Sequence, residues 1–253
     1  CGGIAAGPAW AGMGQNGGGP LPTAIVLATS TTGPAPFAVH VNGLNSILSV
    51  GDESTARYEW DFGDSAGAHN TLVGWNAAHI YNAPGNYTIT LTVTNQSGQQ
   101  NVKTIPVTVN APNRTTIYVS PSGSDSNSGL APGSAIKTFA KAATMLSNNK
   151  AILFQRGATF DVSGGMTISQ QNVLIGAYGF GNVPVLNWTP NVNYAKILDM
   201  GSGAKDVVIE NLKFDSPFAP NNLIVRGIHP HGNNVTVRNC SFGNVSYAMN
   251  TDG

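Results

Sequence analysis

Val207-Val-Ile-Glu-Asn-Leu-Lys-Phe214 and Val235-Thr-Val-Arg-Asn-Cys-Ser-Phe242 read as two turns of one pattern. Aligned with the stretch that starts at Val173, each places an apolar residue at offsets 0, 2, 5 and 7. The three sets are Val173/Ile175/Tyr178/Phe180, Val207/Ile209/Leu212/Phe214 and Val235/Val237/Cys240/Phe242. Steps of 34 and 28 residues separate them, and Ile152-Leu-Phe154, 21 residues before Val173, fits as an earlier coil. Two inward positions, a two-residue bend and two more inward positions predict strand–turn–strand within one rung of a solenoid. Asn211 and Asn239 occupy the bend, where stacked side-chain amides are expected to hydrogen-bond from coil to coil. The unequal spacing implies loops of different length at a fixed corner, and such loops usually build a solenoid's working face.

Upstream of these coils, Ile136, Phe139, Ala140, Ala143 and Leu146 fall on one face at helical spacing, which predicts one amphipathic helix over 134–147 with Ser134 as its N-cap. A single helix ahead of many short strands suits the open end of a solenoid, where unpaired backbone would otherwise meet water. Residues 21–111 read as a separate all-β unit. Its short alternating runs, such as Phe37-Ala-Val-His-Val41 and Tyr87-Thr-Ile-Thr-Leu-Thr-Val93, are divided by Gly, Pro and Asn turns. Residues 1–20 are glycine-rich without periodicity and read as a tether or extended arm.

Within the all-β unit, Trp60-Asp-Phe-Gly-Asp64, His79-Ile-Tyr81 and Pro84-Gly-Asn-Tyr87 through Leu91 and Val93 follow one another in an order and spacing that resembles the polycystic-kidney-disease (PKD) domain family. One departure is Ser65, where that family usually has glycine after the second aspartate. The stretches Ile117-Tyr-Val-Ser-Pro-Ser-Gly-Ser-Asp-Ser-Asn-Ser-Gly129, Lys137-Thr-Phe-Ala-Lys-Ala142 and Val173-Leu-Ile-Gly-Ala-Tyr-Gly179 resemble the start of right-handed parallel β-helix proteins of the pectate-lyase superfamily, over residues 115–253. The expected fold is therefore all-β: a PKD (Ig-like) β-sandwich at 21–111, then a right-handed parallel β-helix at 115–253 with one N-terminal capping helix. That superfamily holds lyases, hydrolases and non-catalytic surface proteins, so the resemblance implies a fold and leaves the activity open.

Composition narrows the partners. With 12 basic and 12 acidic side chains, the 253-residue chain has a formal net charge of zero, and only 9% of its residues are charged. No Lys/Arg cluster offers an electrostatic footprint for nucleic acid or anionic lipid. No stretch approaches the about 20 apolar residues that span a bilayer. The start Cys1-Gly-Gly3, running into a Gly-rich segment, resembles a mature bacterial lipoprotein, which makes Cys1 the expected lipidation site and the sole expected route to a membrane. Cys240, placed indoors by the repeat, is not expected to pair with Cys1.

The search for chemistry is less productive. A lyase of that superfamily needs a Lys or Arg base beside calcium-binding carboxylates, and a hydrolase needs converging acids. The coils offer Asp199, Asp206, Glu210, Lys213, Asp215, Arg226, Arg238 and Asp252, with no Asp-x-Asp or Asp-Asp pair, and no catalytic residue is assigned. Glu210 and Arg238, one coil apart at offset 3, are expected to form a cross-rung ion pair. Asp61 and Asp64 are too few carboxylates for a hard-cation site and are expected to form turns, so calcium stays without support and no cofactor is implied. His79 and Tyr81 are expected core residues. His229 and His231 begin a metal motif without a third ligand, so no metal is assigned, and they are read as loop residues. Together with Trp188 and Tyr194 they are the candidate glycan contacts. About four coils precede the end at Thr251-Asp-Gly253, with no capping element after Phe242. The expectations are a longer natural chain, or an open end that docks on a sister subunit in a head-to-tail filament. The functional expectation is an extracellular bacterial surface protein, structural or adhesive, that meets polysaccharide or cell-surface glycans or sister subunits. The alternative is a polysaccharide lyase or hydrolase with catalytic coils beyond residue 253.

Overall fold

The computed structural model describes residues 19–217 and 223–249. Cys1, Asp252 and most of the 1–20 arm lie outside the described residues. What is described is all-β apart from a 3-10 turn at Pro132–Ser134 and one short α-helix.

Eight strands build a β-sandwich: β1 (Leu27–Ala28), β2 (Thr32–Pro34), β3 (Phe37–Asn42), β4 (Arg57–Asp61), β5 (Thr71–Val73), β6 (Asn76–Tyr81), β7 (Gly85–Thr94) and β8 (Gln100–Asn110). One sheet has the order β1-β3-β6 and the other β2-β8-β7-β4-β5. Alternation does the sorting, because successive side chains of a strand point to opposite faces. Tyr58, Trp60 and Phe62 turn inward with Ile89, Leu91 and Val93, all 2% exposed or less. Trp60 still satisfies its polar edge, with Nε1 donating to the Gly74 carbonyl at 2.8 Å. Asp61 holds a turn by accepting from the Gly63 backbone N–H at 2.8 Å and from Asn70 at 2.9 Å. Asp64 and His79 are both buried and bonded at 3.0 Å, with the imidazole stacked on Phe62 at 4.7 Å between ring centres.

Thirteen further strands follow: β9 (Thr115–Val119), β10 (Lys150–Gln155), β11 (Thr159–Val162), β12 (Met166–Ile168), β13 (Gln171–Tyr178), β14 (Val185–Trp188), β15 (Ala195–Met200), β16 (Lys205–Glu210), β17 (Lys213–Asp215), β18 (Val225–His229), β19 (Asn233–Arg238), β20 (Ser241–Phe242) and β21 (Tyr247–Met249). They form three sheets, of order β9-β10-β13-β16-β19, β11-β14-β17-β20 and β12-β15-β18-β21, with every pairing parallel. From β10 onward the chain visits the first, second and third sheets in turn and returns one strand further on. The apolar rows therefore stack. Ile117, Ile152, Ile175, Ile209 and Val237 are in register in the first sheet. Phe160, Leu186, Phe214 and Phe242 are in register in the second. Burying each such side chain contributes about 1.5–3 kcal/mol before entropy is counted.

The helix is shorter than its periodicity predicts. It runs Phe139–Thr144, with the Thr138 hydroxyl accepting from the Lys141 N–H at 3.0 Å. Ser134 is not the cap: it ends the 3-10 turn Pro132–Ser134, and the chain is extended at Ala135 and Thr138, on either side of the parallel bridge from Ile136 to Val119, before the helix begins. Phe139 and Ala142 are buried, and Ala143 and Leu146 pack against the core behind them.

The repeat holds in two coils and fails in the first. Val207, Ile209, Leu212 and Phe214 are all buried, whereas Phe180 is 99% exposed and Tyr178 packs edge-on to Tyr118 instead of filling the core. The cause lies at offset 4. Asn211 and Asn239 adopt left-handed backbone (φ 57° and 51°), which bends the chain after Glu210 and Arg238. The first coil has Ala177 there, so β13 runs straight on and turns only at Gly179 (φ 83°). Among the described residues the Asn211 and Asn239 side chains make no mutual hydrogen bond. The side-chain ladder forms instead at the other end of the first sheet, through Asn149, Asn172, Asp206 and Asn234, all left-handed at φ 54–59°. Asn172 Nδ2 donates to Asn149 Oδ1 at 2.7 Å, and Asn234 Nδ2 to Asp206 Oδ1 at 2.6 Å.

Candidate functional site

The third sheet gathers the chemistry. In β15 and β18 the two-residue alternation breaks at the same place: Ile197 and Leu198 are both buried, as are Gly227 and Ile228. The register stays constant through the break, pairing Lys196 with Arg226, Leu198 with Ile228 and Asp199 with His229. Both strands break alternation in step, with no extra residue on either, so positions 196 and 199 of β15 and 226 and 229 of β18 fall three residues apart. Two outward columns result. One runs Lys196–Arg226–Tyr247 and the other Thr167–Asp199–His229. Gly165, just ahead of β12, permits the close approach of β15, since a Cβ there would lie 2.1 Å from the Lys196 carbonyl oxygen.

Across these columns the polar groups are joined. Asp199 Oδ1 lies 2.7 Å from His229 Nδ1, and Lys196 Nζ donates to both oxygens of the same carboxylate at 3.2 and 3.3 Å. A carboxylate only accepts, so His229 Nδ1 is the donor in this bond. The His229 side chain is 2% exposed, and its Nε2 is 3.1 Å from Nε2 of the exposed His231, with the rings 72° apart. Burial opposes ionisation of Asp199. The hydrogen bonds from His229 and Lys196, and their charges, outweigh it and hold the carboxyl below the usual carboxylate range.

The four candidate glycan contacts separate. His229 and His231 belong to this network. Tyr194 stands just before β15, 64% exposed and in left-handed backbone (φ 59°), where Asn193 Oδ1 accepts from its N–H and from that of Ile224. Trp188, by contrast, points inward as the last residue of β14. It is 6% exposed within the core, with Nε1 bonded to the Pro190 carbonyl, so it offers no ring to solvent and forms no platform with Tyr194. The exposed aromatic that joins the site is Tyr247, 45% exposed at the end of the first column. Sequence reading had Asp199 and Arg226 only as isolated charges and had neither Lys196 nor Tyr247. The offsets it aligned belong to the first and second sheets, and the signal for the third lies in the 30-residue steps from Lys196 to Arg226 and from Asp199 to His229.

Other charges on the coils are locally consumed. Arg238 Nε donates to Glu210 Oε2 at 2.7 Å, which forms the cross-rung pair in a half-buried setting. Asp215 accepts from Lys213 at 2.6 Å, from Asn244 at 3.1 Å and from the Ser216 N–H at 2.9 Å. Among the described residues no group of three or more His, Cys, Asp or Glu converges as a metal cage, and no helix is long and apolar enough to cross a membrane. Cys240 is a free thiol whose ionisation is disfavoured by burial.

Comparison with known proteins bears mainly on the sandwich. A structure from work on promiscuous carbohydrate-binding modules of the β-sandwich superfamily is 24% identical over 38% of this chain and 37% of its own, with a TM-score of 0.32. The PKD1 domain of the Vibrio cholerae metalloprotease PrtV is 24% identical over 36% of this chain and 99% of its own, at 0.29. The GH136 lacto-N-biosidase of Eubacterium ramulus is 16% identical over 54% of this chain and 34% of its own, at 0.38. The chain thus spans about a third of the length of the first and third. The PKD-domain family profile matches residues 22–109, which takes in all eight sandwich strands but the last residue of β8. Residues 22–109 are a PKD domain.

Proposed function

We propose that this is an extracellular surface protein that contacts glycans through the outer face of its third parallel sheet, with the PKD domain as a companion module. In this reading the three-sheet unit is a right-handed parallel β-helix, supported by the cyclic order in which its strands visit the sheets. The observation that carries the proposal is the pair of in-register columns, Lys196–Arg226–Tyr247 and Thr167–Asp199–His229, on one sheet face. A neutral sugar presents vicinal hydroxyls and an apolar ring face. Asp199 accepts from hydroxyls, Lys196 donates to them, and the exposed ring of Tyr247 supplies a stacking surface. The test is a glycan array probed with the full chain, followed by affinity electrophoresis in the retained polysaccharides. Retention by a defined glycan class is expected, and no retention across neutral and acidic polysaccharides refutes the proposal.

A second reading, a polysaccharide lyase or hydrolase, is favoured by one feature, the Asp199–His229–His231 chain of hydrogen bonds, which is the kind of arrangement that passes a proton to a surface group. Release of reducing ends or unsaturated products from pectin, alginate and related glycans supports it, and glycan retention without product release counts against it.

A further inference from the structure

We infer that a cavity between the asparagine ladder of the first sheet and Arg114 binds one neutral sugar residue, independently of the third-sheet columns. Residues 29–40, 80–86 and 108–253 form one compact unit, and the cavity lies wholly inside it. Its volume is about 230 Å³. That is below the about 300–1,000 Å³ of sites for drug-sized ligands and suits a ligand of one ring. Exposed Thr32, Asn113 and Asn149 stand at its mouth, and buried Phe37, Ala38 and Val208 form its apolar floor.

The ladder has a junction with no hydrogen to share. Asn172 Nδ2 gives its two hydrogens to Asn149 Oδ1 at 2.7 Å and to Asn113 Oδ1 at 2.9 Å, so its amide has none left for the next coil. From the other side, Asn234 Nδ2 donates to Asp206 Oδ1 at 2.6 Å. Asn172 and Asp206 occupy equivalent places on neighbouring coils, between the register pairs Gln171–Lys205 and Val173–Val207. Both line the cavity, and both bring it acceptors: Asn172 Oδ1, which is buried without a partner among the described residues, and the Asp206 carboxylate. Two adjoining acceptors call for a group that supplies hydrogens.

Arg114 decides what kind of donor that is. Half-buried on the cavity wall, it donates from Nε to the Asn172 carbonyl at 3.3 Å, and from its two Nη atoms to the Ala35 and Pro36 carbonyls at 3.0 and 3.4 Å. A guanidinium has five N–H donors, so two remain. The charge of Asp206 acts on Arg114, yet among the described residues the two form no ion pair. A ligand ammonium would meet the guanidinium fastened beside Asn172, and burying a further charge is costly. A sugar hydroxyl avoids both penalties. Its hydrogen goes to Asn172 Oδ1 or to Asp206, and its oxygen or that of a neighbouring hydroxyl accepts from Arg114. The apolar floor takes the C–H face of the ring.

The test is isothermal titration of the full chain with free glucose, galactose, mannose and N-acetylglucosamine, and in a second arm with glycine and lysine. At least one sugar should bind, one per chain, with a dissociation constant of about 1 mM or tighter. Asp206→Asn keeps a residue that tolerates left-handed backbone but replaces a carboxylate acceptor, and should weaken binding at least about tenfold. Val208→Phe fills the cavity from its floor and should abolish binding without touching the polar groups. Asp161→Ala, exposed on the second sheet, should leave affinity unchanged. Circular dichroism checks that each variant is folded. The inference is overturned if no sugar binds at about 10 mM, if the amino acids bind in place of the sugars, or if folded Asp206→Asn and Val208→Phe both bind as wild type does. Sugar binding that is lost in Tyr247→Ala but kept in Asp206→Asn belongs to the third sheet and overturns it as well. The third-sheet proposal is read separately, by polysaccharide retention.

Discussion

Asn211 carries a sharp test of how the coils are built. Its backbone lies at φ 57°, and the corner that follows sends Leu212 and Phe214 back into the core. An ordinary L-residue in left-handed backbone costs about 1–2 kcal/mol, whereas glycine visits it freely and asparagine tolerates it. Asn211→Ala should therefore lose about 1 kcal/mol, the β-branched Asn211→Val about 2 kcal/mol, and Asn211→Gly no more than about 0.5 kcal/mol, since its gain in the bend is offset by a freer unfolded chain. With a urea dependence of about 2 kcal/mol per molar, the alanine variant shifts the midpoint down by about 0.5 M. Unfolding followed by fluorescence of the core residue Trp188, together with far-ultraviolet circular dichroism, reads the shift. Asn239, at φ 51°, should give the same order of effects. If Gly and Ala cost the same at both positions, or Gly costs more, backbone handedness is not what the asparagines supply and the account of the corner is wrong.

Three further outcomes are expected. Phe214 is fully buried and stacked on Phe242 at 5.1 Å, so Phe214→Ala should cost about 3–5 kcal/mol in the same unfolding measurement. Asp199 has a lowered carboxyl pKa in the folded state, so it contributes stability that is present above the unfolded value of about 3.9 and is lost as pH falls through the folded one. Midpoints of wild type and Asp199→Asn should therefore converge as pH is lowered through the carboxylate range, and a gap that stays constant with pH refutes this. Cys240, half-buried with a raised thiol pKa, should react with a thiol reagent much more slowly than a free cysteine at neutral pH and approach its rate on unfolding.

How much of this could be read from the chain depends on which residues touch which. The sandwich was legible because Tyr58, Trp60 and Phe62 alternate with polar neighbours, and strand alternation is a purely local property. The first-sheet rows were legible for the same reason, through Val207/Ile209 and Val235/Val237. The inward placement of Tyr178 and Phe180 was misread, because apolar character was taken to mean core without asking whether an Asn at the bend was there to turn the chain. The helix start was misread because the bridge between Val119 and Ile136 joins residues 17 apart, which no local cap signal reports. The candidate site was the least legible part. Lys196, Asp199, Arg226 and His229 meet only once the parallel register is known, and the break in alternation at Ile197-Leu198 hides them from a period-two search. Trp188 reads from sequence as part of a loop after Leu186, whereas it is the inward last residue of β14, in register with Val162 of β11, a pairing 26 residues apart that no local signal reports.

The proposal that the third-sheet face contacts glycan is tested most directly by measuring dissociation constants, for the glycan best retained on the array, with wild type, Asp199→Ala, Tyr247→Ala and a second-sheet control, Asp161→Ala. Both third-sheet variants should bind at least about tenfold more weakly, a loss of about 1.4 kcal/mol each, with the control unchanged. Equal affinity across all four proteins, or a loss confined to Asp161→Ala, contradicts it.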